Sequence, residues 1–185
     1  PETELLVELA LQKIPFNSKW KILDLGTGCG AIGISIASER SKCQVIATDI
    51  CPDALIIAKK NKERANLSNI KFLIGSWSIP VKNMSFNLIV SNPPYLPEDD
   101  KSLKNLQHEP KKALISGADG LDDIRILAKE CSNLLTQNGW LLVEHGAYQE
   151  ELVKNILINE SWREISCHKD LAGYPRVTVA QYNGK

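Results

Sequence analysis

Hydrophobic residues in this chain fall into short runs, and longer stretches of mixed apolar and polar residues separate them. Four of the runs predict buried strands, at residues 21–25, 44–48, 70–74 and 86–91. Two intervening stretches predict helices, at 31–40 and from 52 to about 65, and the second begins with a proline, which suits a first helical turn. This alternation predicts a largely parallel sheet with helices on both faces.

The second half of the chain returns to this pattern after a long irregular stretch. Residues 96–120 are rich in polar side chains and include two prolines, and loops of this length are usually functional or mobile. Two further helices and three strands are predicted, the helices at 121–135 and 148–159 and the strands at 140–144, 162–168 and 176–182. The last connection is too short for a parallel crossover, so the final strands should form an antiparallel hairpin. A mostly parallel, Rossmann-like sheet of seven strands that ends in such a hairpin is typical of class I methyltransferases.

Composition and charge narrow the range of functions. The 185 residues suffice for one domain with a single sizeable core. Basic and acidic residues number 22 each, so the formal net charge is zero, whereas proteins that bind nucleic-acid phosphates usually carry a basic excess. No apolar run approaches the ~20 residues that span a bilayer, and no signal peptide is visible. We therefore expect neither a nucleic-acid substrate nor a membrane partner.

The five cysteines indicate a reducing compartment. They are odd in number, and no two of them form a C-x-x-C pair. Disulfide frameworks and zinc sites normally use paired cysteines, so we expect free thiols, a cytoplasmic location and no metal. The chain begins at Pro1 and not at methionine, which leads us to expect an upstream segment in the natural protein.

The first predicted strand runs into a glycine-rich loop, D-L-G-T-G-C-G, at residues 24–30. Alternate glycines allow the backbone to turn sharply and approach a ligand, and the next helix begins with free N–H groups. Asp49 ends the second strand at the same predicted sheet edge, where its carboxylate could accept hydrogen bonds from both hydroxyls of a ribose. Gly28, Gly30 and Gly33 also match the NAD fingerprint. These features predict an adenosine-containing cofactor and leave NAD and S-adenosylmethionine undecided.

The fourth predicted strand is followed by Asn92, Pro93, Pro94 and Tyr95, which must form a loop because two prolines exclude a helix interior or a central strand. The lone pair of an amide or base-amine nitrogen is delocalised, and methylation requires it to point at the methyl donor. The Asn92 side-chain oxygen and the Pro93 carbonyl could each accept one N–H, while Tyr95 offers a flat face to a planar group. This loop predicts methylation of a planar amino group, with catalysis by hydrogen-bond acceptors that are already in position. The loop alone does not distinguish adenine, cytosine and glutamine as the substrate.

These motifs together resemble the peptide-chain release-factor glutamine methyltransferases, and the resemblance runs through nearly the whole chain. It comprises residues 1–4, the glycine-rich loop, the loop at 92–95, Glu109 with Pro110, residues 144–146 and residues 176–178. The resemblance implies an enzyme of translation termination that methylates N5 of the glutamine in a Gly-Gly-Gln tripeptide of release factors. In that family a helical substrate-binding domain precedes the first motif. Residues 1–185 are therefore expected to form the catalytic domain alone.

The resemblance also assigns residues to the site. It places S-adenosylmethionine on Gly26, Thr27, Gly28, Cys29, Gly30, Asp49, Trp77 and Asn92. It places the substrate amide on Asn92, Pro93, Pro94 and Tyr95, with Asn92, Pro93 and Tyr95 as the catalytic residues. Ser76 departs from the pattern, because the family usually has an acidic residue there that can accept from the adenine amine. His108 and Glu109 are candidates for shaping the substrate side, and Glu144 and His145 for a general base or a structural pair.

Three other functions compete with this interpretation. A DNA adenine-N6 methyltransferase uses an equivalent loop after base flipping, but the neutral charge and the lack of a target-recognition segment argue against it. A non-catalytic adenosine-binding module or an NAD-dependent oxidoreductase would leave the loop at 92–95 unexplained. The sequence thus predicts a protein-(glutamine-N5) methyltransferase with release factors as its partners.

Overall fold

The computed structural model describes residues 2–104 and 110–184, so Pro1, His108 and Glu109 lie outside the described residues. The described chain forms seven strands: β1 Lys21–Leu25, β2 Gln44–Asp49, β3 Ile70–Ile74, β4 Phe86–Ser91, β5 Leu135–Glu144, β6 Arg163–Lys169 and β7 Pro175–Gln181. It also forms five α-helices: α1 Glu2–Lys13, α2 Ala31–Glu39, α3 Pro52–Arg64, α4 Asp122–Cys131 and α5 Glu150–Asn159.

All seven strands belong to one sheet, in the order β3-β2-β1-β4-β5-β7-β6. Strands β1 to β5 run parallel, and β7 lies antiparallel to both β5 and β6. Leu25 of β1 pairs with Thr48 of β2 and with Ser91 of β4, so the carboxyl ends of these three strands are level. The strand order reverses between β1 and β4, which is where open α/β sheets bind ligands. The predicted mostly parallel seven-stranded sheet with a C-terminal antiparallel hairpin is confirmed.

Two hydrophobic clusters cover the two faces of the sheet. Successive residues of β1 point to opposite sides, so Ile22 packs with Leu6 and Ile36, while Leu23 packs with Leu127 of α4. Burial of one such side chain contributes about 1.5–3 kcal/mol, and the sandwiched strands explain the continuous apolar runs of the sequence. The rigid centre of the fold thereby holds the loops at the carboxyl edge of the sheet in place.

Helix α1 is absent from the sequence prediction, and the predicted helix at 121–135 is wrong at its C-terminal end. Helix α4 stops at Cys131, because the side chains of Ser132 and Asn133 both donate to the carbonyl oxygen of Lys129. Such bonds compete with helix continuation. Leu135 instead opens β5, where it pairs with β4, so β5 begins well before residue 140. The remaining boundaries agree with the prediction to within one or two residues.

Two global features bear on the environment of the protein. Among the described residues, no helix is long and apolar enough to cross a membrane. All five cysteines fall within the described ranges and carry free thiols, of which Cys29 and Cys51 are exposed and Cys43 and Cys131 are buried.

Candidate active site

The predicted cofactor residues lie at one edge of the sheet: the glycine-rich loop, Asp49 and Trp77 lie at or just beyond the carboxyl ends of β1, β2 and β3, and Asn92 follows the neighbouring strand β4. The glycine-rich loop leaves β1 with positive φ angles at Gly26, Gly28 and Gly30. The N–H groups of Gly26 and Thr27 both donate to the carbonyl oxygen of Thr48 at 2.9 Å, which anchors the loop on β2. A Cβ atom at Gly26 would lie 3.1 Å from the ring of Trp77, so the loop and this ring are in close contact. Glycine is needed there for both space and backbone conformation.

Asp49 connects the glycine-rich loop with the start of α3. Its Oδ2 accepts the N–H of Gly28 at 2.7 Å, and its Oδ1 accepts the N–H of Cys51 at 2.8 Å. A carboxylate offers about four acceptor positions, so each oxygen retains capacity for one more donor. Asp49 therefore orders the loop and still presents acceptors at the sheet edge.

Trp77 follows β3 and is held from two directions. Its carbonyl oxygen accepts the Thr48 hydroxyl at 3.1 Å, and the next residue, Ser78, donates its hydroxyl to Glu130 of α4 at 2.5 Å. Trp77 has a φ of 40°, a conformation that is costly for a bulky residue and persists only where the surroundings impose it. These bonds hold the backbone at residues 77 and 78, and the Trp77 ring lies against Gly26.

Asp24 is a fully buried carboxyl group beneath the glycine-rich loop. Its Oδ2 accepts the Thr27 hydroxyl at 2.5 Å and the Gly33 N–H at 2.9 Å, whereas its Oδ1 accepts no hydrogen bond from the residues that the structure describes. A Cβ atom at Gly33 would lie 2.9 Å from Oδ2, so packing on Asp24 explains the third glycine of the NAD-like pattern. Burial raises the pKa of Asp24 to about 6, although the bonds from Thr27 and Gly33 oppose the rise.

The pKa of Asp24 predicts how the free energy of unfolding depends on pH. Because this pKa is raised from 3.8 to about 6, the stabilising contribution of the group is present below about pH 4 and is lost as the pH rises through about 6. The loss amounts to on the order of 3 kcal/mol. Asp24→Asn cannot titrate, so its stability relative to wild type should rise by this amount from about pH 4 to about pH 7. Urea unfolding at both pH values measures the change.

The matched control for this measurement is Asp53→Asn, since Asp53 is an exposed carboxylate in the first turn of α3. Asp53→Asn makes the same change from carboxylate to amide at the surface, and so controls for the substitution itself. A constant difference between Asp24→Asn and wild type across this range would contradict the raised pKa.

The loop at residues 92–95 leaves β4 beside the glycine-rich loop. Ser91 is buried, and its hydroxyl donates to the carbonyl oxygen of Leu25 at 2.8 Å, which ties the end of β4 to the end of β1. The loop borders a cavity of about 390 Å³, lined by Asn92, Pro93, Pro94, Tyr95, Leu96, Ser102, Ala113 and Leu114. All four predicted catalytic-loop residues therefore line one cavity.

Part of the long irregular stretch at 96–120 forms part of the wall of this cavity. The Leu96 N–H donates to the carbonyl oxygen of Leu114 at 2.9 Å, and the Ser116 N–H donates to that of Leu96 at 3.0 Å. The Glu98 N–H donates in turn to Gly117 at 3.1 Å. The two ends of the stretch are thus joined directly after Tyr95, and the stretch supplies Ser102, Ala113 and Leu114 to the cavity wall.

His145 has the environment of a structural residue. It is fully buried, with Nδ1 2.9 Å from the carbonyl oxygen of Gly146 and Nε2 2.8 Å from the hydroxyl of Thr178. Burial lowers its pKa, so the ring is neutral at physiological pH. Both ring nitrogens have partners, and Nε2 connects the residue after β5 to Thr178 of β7, which favours the structural interpretation over a general base. Glu144, its neighbour, is buried as well.

Comparison with known proteins identifies the family. The chain matches a family model described as a methyltransferase domain over residues 16–180. The release factor glutamine methyltransferase of Xylella fastidiosa strain Temecula1 is 43% identical over 99% of this chain and 67% of the relative. The chain belongs to the release factor glutamine methyltransferase family. The relative from Coxiella burnetii is 42% identical over 98% of this chain, and that from Escherichia coli is 39% identical. The chain spans 65% and 66% of the lengths of these two.

Solved structures show the fold of this family member independently. The 16S rRNA N2 G1207 methyltransferase of Thermus thermophilus, in complex with AdoMet and guanosine, has a TM-score of 0.73 and 18% identity, covering 99% of this chain and 43% of that one. A methyltransferase from Pyrococcus furiosus has a TM-score of 0.70 and 21% identity, covering 96% and 82%. At these identities the likeness establishes the class I methyltransferase fold.

Several roles in this member of the release factor glutamine methyltransferase family escape the sequence prediction. The Thr27 hydroxyl is bonded to Asp24, and the carbonyl oxygen of Cys29 accepts the Asn61 side chain of α3 at 3.0 Å. Gln149 and Gly120 contact Tyr95 in the loop at 92–95 directly, although neither belongs to a recognised motif. Gln149 lies in the first turn of the predicted helix at 148–159 and directly precedes α5, which is a weak local signal, because only the folded chain brings it to Tyr95.

Proposed function

We propose that this protein transfers the methyl group of S-adenosylmethionine to N5 of the glutamine in the Gly-Gly-Gln tripeptide of peptide-chain release factors. The observation that carries the proposal is the cavity of about 390 Å³ lined by Asn92, Pro93, Pro94 and Tyr95. This loop leaves β4 where β4 pairs with β1, the strand that runs into the glycine-rich loop. Sequence relatives that are release factor glutamine methyltransferases support the choice of substrate. The test is methyl transfer to a release factor in direct competition with DNA.

The residues at the carboxyl edge fit S-adenosylmethionine. The backbone at Gly26 and Gly28 offers a narrow cradle bounded by Trp77, and the Asp49 carboxylate retains acceptor capacity for ribose hydroxyls. When bound, the cofactor supplies an electrophilic methyl group on a sulfonium. We assign its binding to Gly26, Thr27, Gly28, Cys29, Gly30, Asp49, Trp77 and Asn92.

The catalytic loop localises the lone pair of the substrate nitrogen. In the proposed mechanism, the Asn92 side-chain oxygen and the Pro93 carbonyl oxygen each accept one N–H of the glutamine amide, and the Tyr95 ring packs on the amide plane. These acceptors direct the lone pair away from the loop and stabilise the positive charge that develops on nitrogen. Both oxygens are weak bases, so the displaced proton passes to water.

The cellular setting forms part of the same proposal. Residues 1–185 act as the catalytic domain, and the family resemblance supplies the expectation of a helical substrate-binding domain before it. We place the protein in the cytoplasm, because its free cysteines are compatible with a reducing compartment. The zero net charge suits a protein substrate better than a nucleic acid.

A further inference from the structure

Gln149 is a buried polar residue to which the sequence assigns no role. It directly precedes α5 and is 9% exposed, although glutamine is usually a surface residue. A buried carboxamide must find partners for its polar atoms, since each one left unsatisfied costs about 1–3 kcal/mol. The partners of the Gln149 carboxamide indicate its role.

The carboxamide of Gln149 joins three loops at the edge of the sheet. Its Nε2 donates to the carbonyl oxygen of Tyr95 at 3.0 Å and lies 3.3 Å from that of Gly120. Its Oε1 accepts the N–H of Gly146 at 2.8 Å. Carbonyl oxygens surround one end and an N–H donor meets the other, so the orientation of the amide is determined by its surroundings. A carboxylate could accept from Gly146 but could not donate to Tyr95.

The surrounding backbone is built around this contact. Gly120 has a φ of 76°, and a Cβ atom there would lie 2.3 Å from the carbonyl oxygen of Tyr95 and 2.9 Å from Nε2 of Gln149. A Cβ atom at Gly146 would lie 3.1 Å from Oε1 of Gln149 and 3.6 Å from the ring of Tyr95. Both flanking loops therefore use glycine where they contact Gln149 and Tyr95.

The catalytic loop has a particular need for an external donor. Pro93 and Pro94 have no N–H groups, so the loop cannot anchor itself through backbone donors at these positions. We propose that Gln149 is a positioning residue that holds the Tyr95 end of the loop at 92–95 in its catalytic geometry, through the carbonyl oxygen of Tyr95. This inference rests on the proposed function, because the loop geometry matters for the rate only if the loop takes part in methyl transfer.

Two variants separate the hydrogen bond from the volume of the side chain. Gln149→Met keeps the length of the side chain and removes all of its hydrogen bonds. Gln149→Glu keeps the acceptor for the Gly146 N–H but places a carboxylate oxygen against the carbonyl oxygens of Tyr95 and Gly120. The matched control is Gln181→Glu, because Gln181 also donates to a backbone carbonyl, that of Asn138, outside the site. Each variant is compared with wild type by thermal unfolding, by calorimetry with S-adenosylhomocysteine and by methyl transfer at saturating cofactor.

Both Gln149 variants should lower kcat, by roughly 10- to 100-fold for Gln149→Glu and by less for Gln149→Met. The dissociation constant of S-adenosylhomocysteine should stay within about twofold of wild type, because the glycine-rich loop is untouched. Gln181→Glu should leave both quantities unchanged. A folded Gln149→Glu protein with wild-type kcat, or equal losses of kcat and cofactor affinity, would overturn the inference.

Hydrogen exchange distinguishes failure of this inference from failure of the proposed function. If wild type methylates no Gly-Gly-Gln protein, the proposed function fails, and the amides of Tyr95 and Leu96 still report on the loop. These amides should exchange at least about tenfold faster in Gln149→Glu, while those of residues 26–30 keep wild-type rates. Unchanged exchange at Tyr95 and Leu96 would show that Gln149 does not hold the loop.

Discussion

Replacing Asn92 by alanine should lower methyl transfer by about 10²–10³-fold, the typical cost of removing one preorganised polar partner. Asn92 lines the cavity at the end of β4, and its side-chain oxygen is the proposed acceptor for one N–H of the substrate amide. This bond strengthens as the amide loses resonance and positive charge develops on nitrogen. Its loss should therefore reduce kcat far more than it reduces cofactor affinity.

Asn92→Asp is the sharper companion to this variant. The acceptor oxygen remains and a charge is added, so partial activity should survive. Single-turnover transfer to a Gly-Gly-Gln release factor, with cofactor affinity measured in parallel, tests both changes. Asn155→Ala is a matched control, because Asn155 is exposed on α5 and should give wild-type rates. If Asn92→Ala also gave wild-type rates, the loop at 92–95 would not be the catalytic clamp.

Gly120→Ala should both destabilise the protein and impair transfer. Its φ of 76° imposes a strain of about 1–2 kcal/mol on alanine, and the new Cβ atom would lie 2.3 Å from the carbonyl oxygen of Tyr95. Relief of that contact requires the backbone to shift, which adds roughly 1–3 kcal/mol and displaces the catalytic loop. A displacement of about 1 Å can lower the rate about 100-fold. Urea unfolding and single-turnover transfer measure the two effects.

Gly173 offers a closely matched control for the strain. It also has a positive φ, of 85°, but an added Cβ atom would meet nothing within 4 Å. Gly173→Ala should therefore show the backbone strain of about 1–2 kcal/mol with wild-type transfer. Equal losses of stability and activity in the two variants would refute the close packing of Gly120 on Tyr95.

The sequence predicted the parts of the site that depend on local backbone requirements. Consecutive prolines after an apolar strand exclude regular structure, and alternate glycines after β1 permit the positive φ angles that the loop adopts. The level carboxyl ends of β1, β2 and β4 then bring the glycine-rich loop, Asp49 and Asn92 to one edge. Local sequence patterns, together with the rule that parallel sheets bind ligands at the carboxyl ends of their strands, are enough to predict this part of the site.

The supporting contacts escape prediction because they join residues far apart in the chain. Gln149 meets Tyr95 across 54 positions, and Gly120 makes room for the same carbonyl oxygen. Asp24 likewise has one oxygen without a hydrogen-bond partner among the described residues because it is completely buried, which the sequence of β1 alone does not reveal. The apolar pattern of residues 121–135 predicts a longer helix than α4. The helix ends early because the side chains of Ser132 and Asn133 donate to the carbonyl oxygen of Lys129.

The most direct measurement is the destination of the methyl group. The protein is incubated with methyl-labelled S-adenosylmethionine, a release factor that contains Gly-Gly-Gln, the same factor with that glutamine replaced by asparagine, and adenine-containing DNA. Label should appear on N5 of the Gly-Gly-Gln glutamine, and the replaced factor and the DNA should remain unlabelled. Label on the exocyclic amine of adenine, or equal labelling of both forms of the factor, would contradict glutamine methylation at the loop formed by residues 92–95.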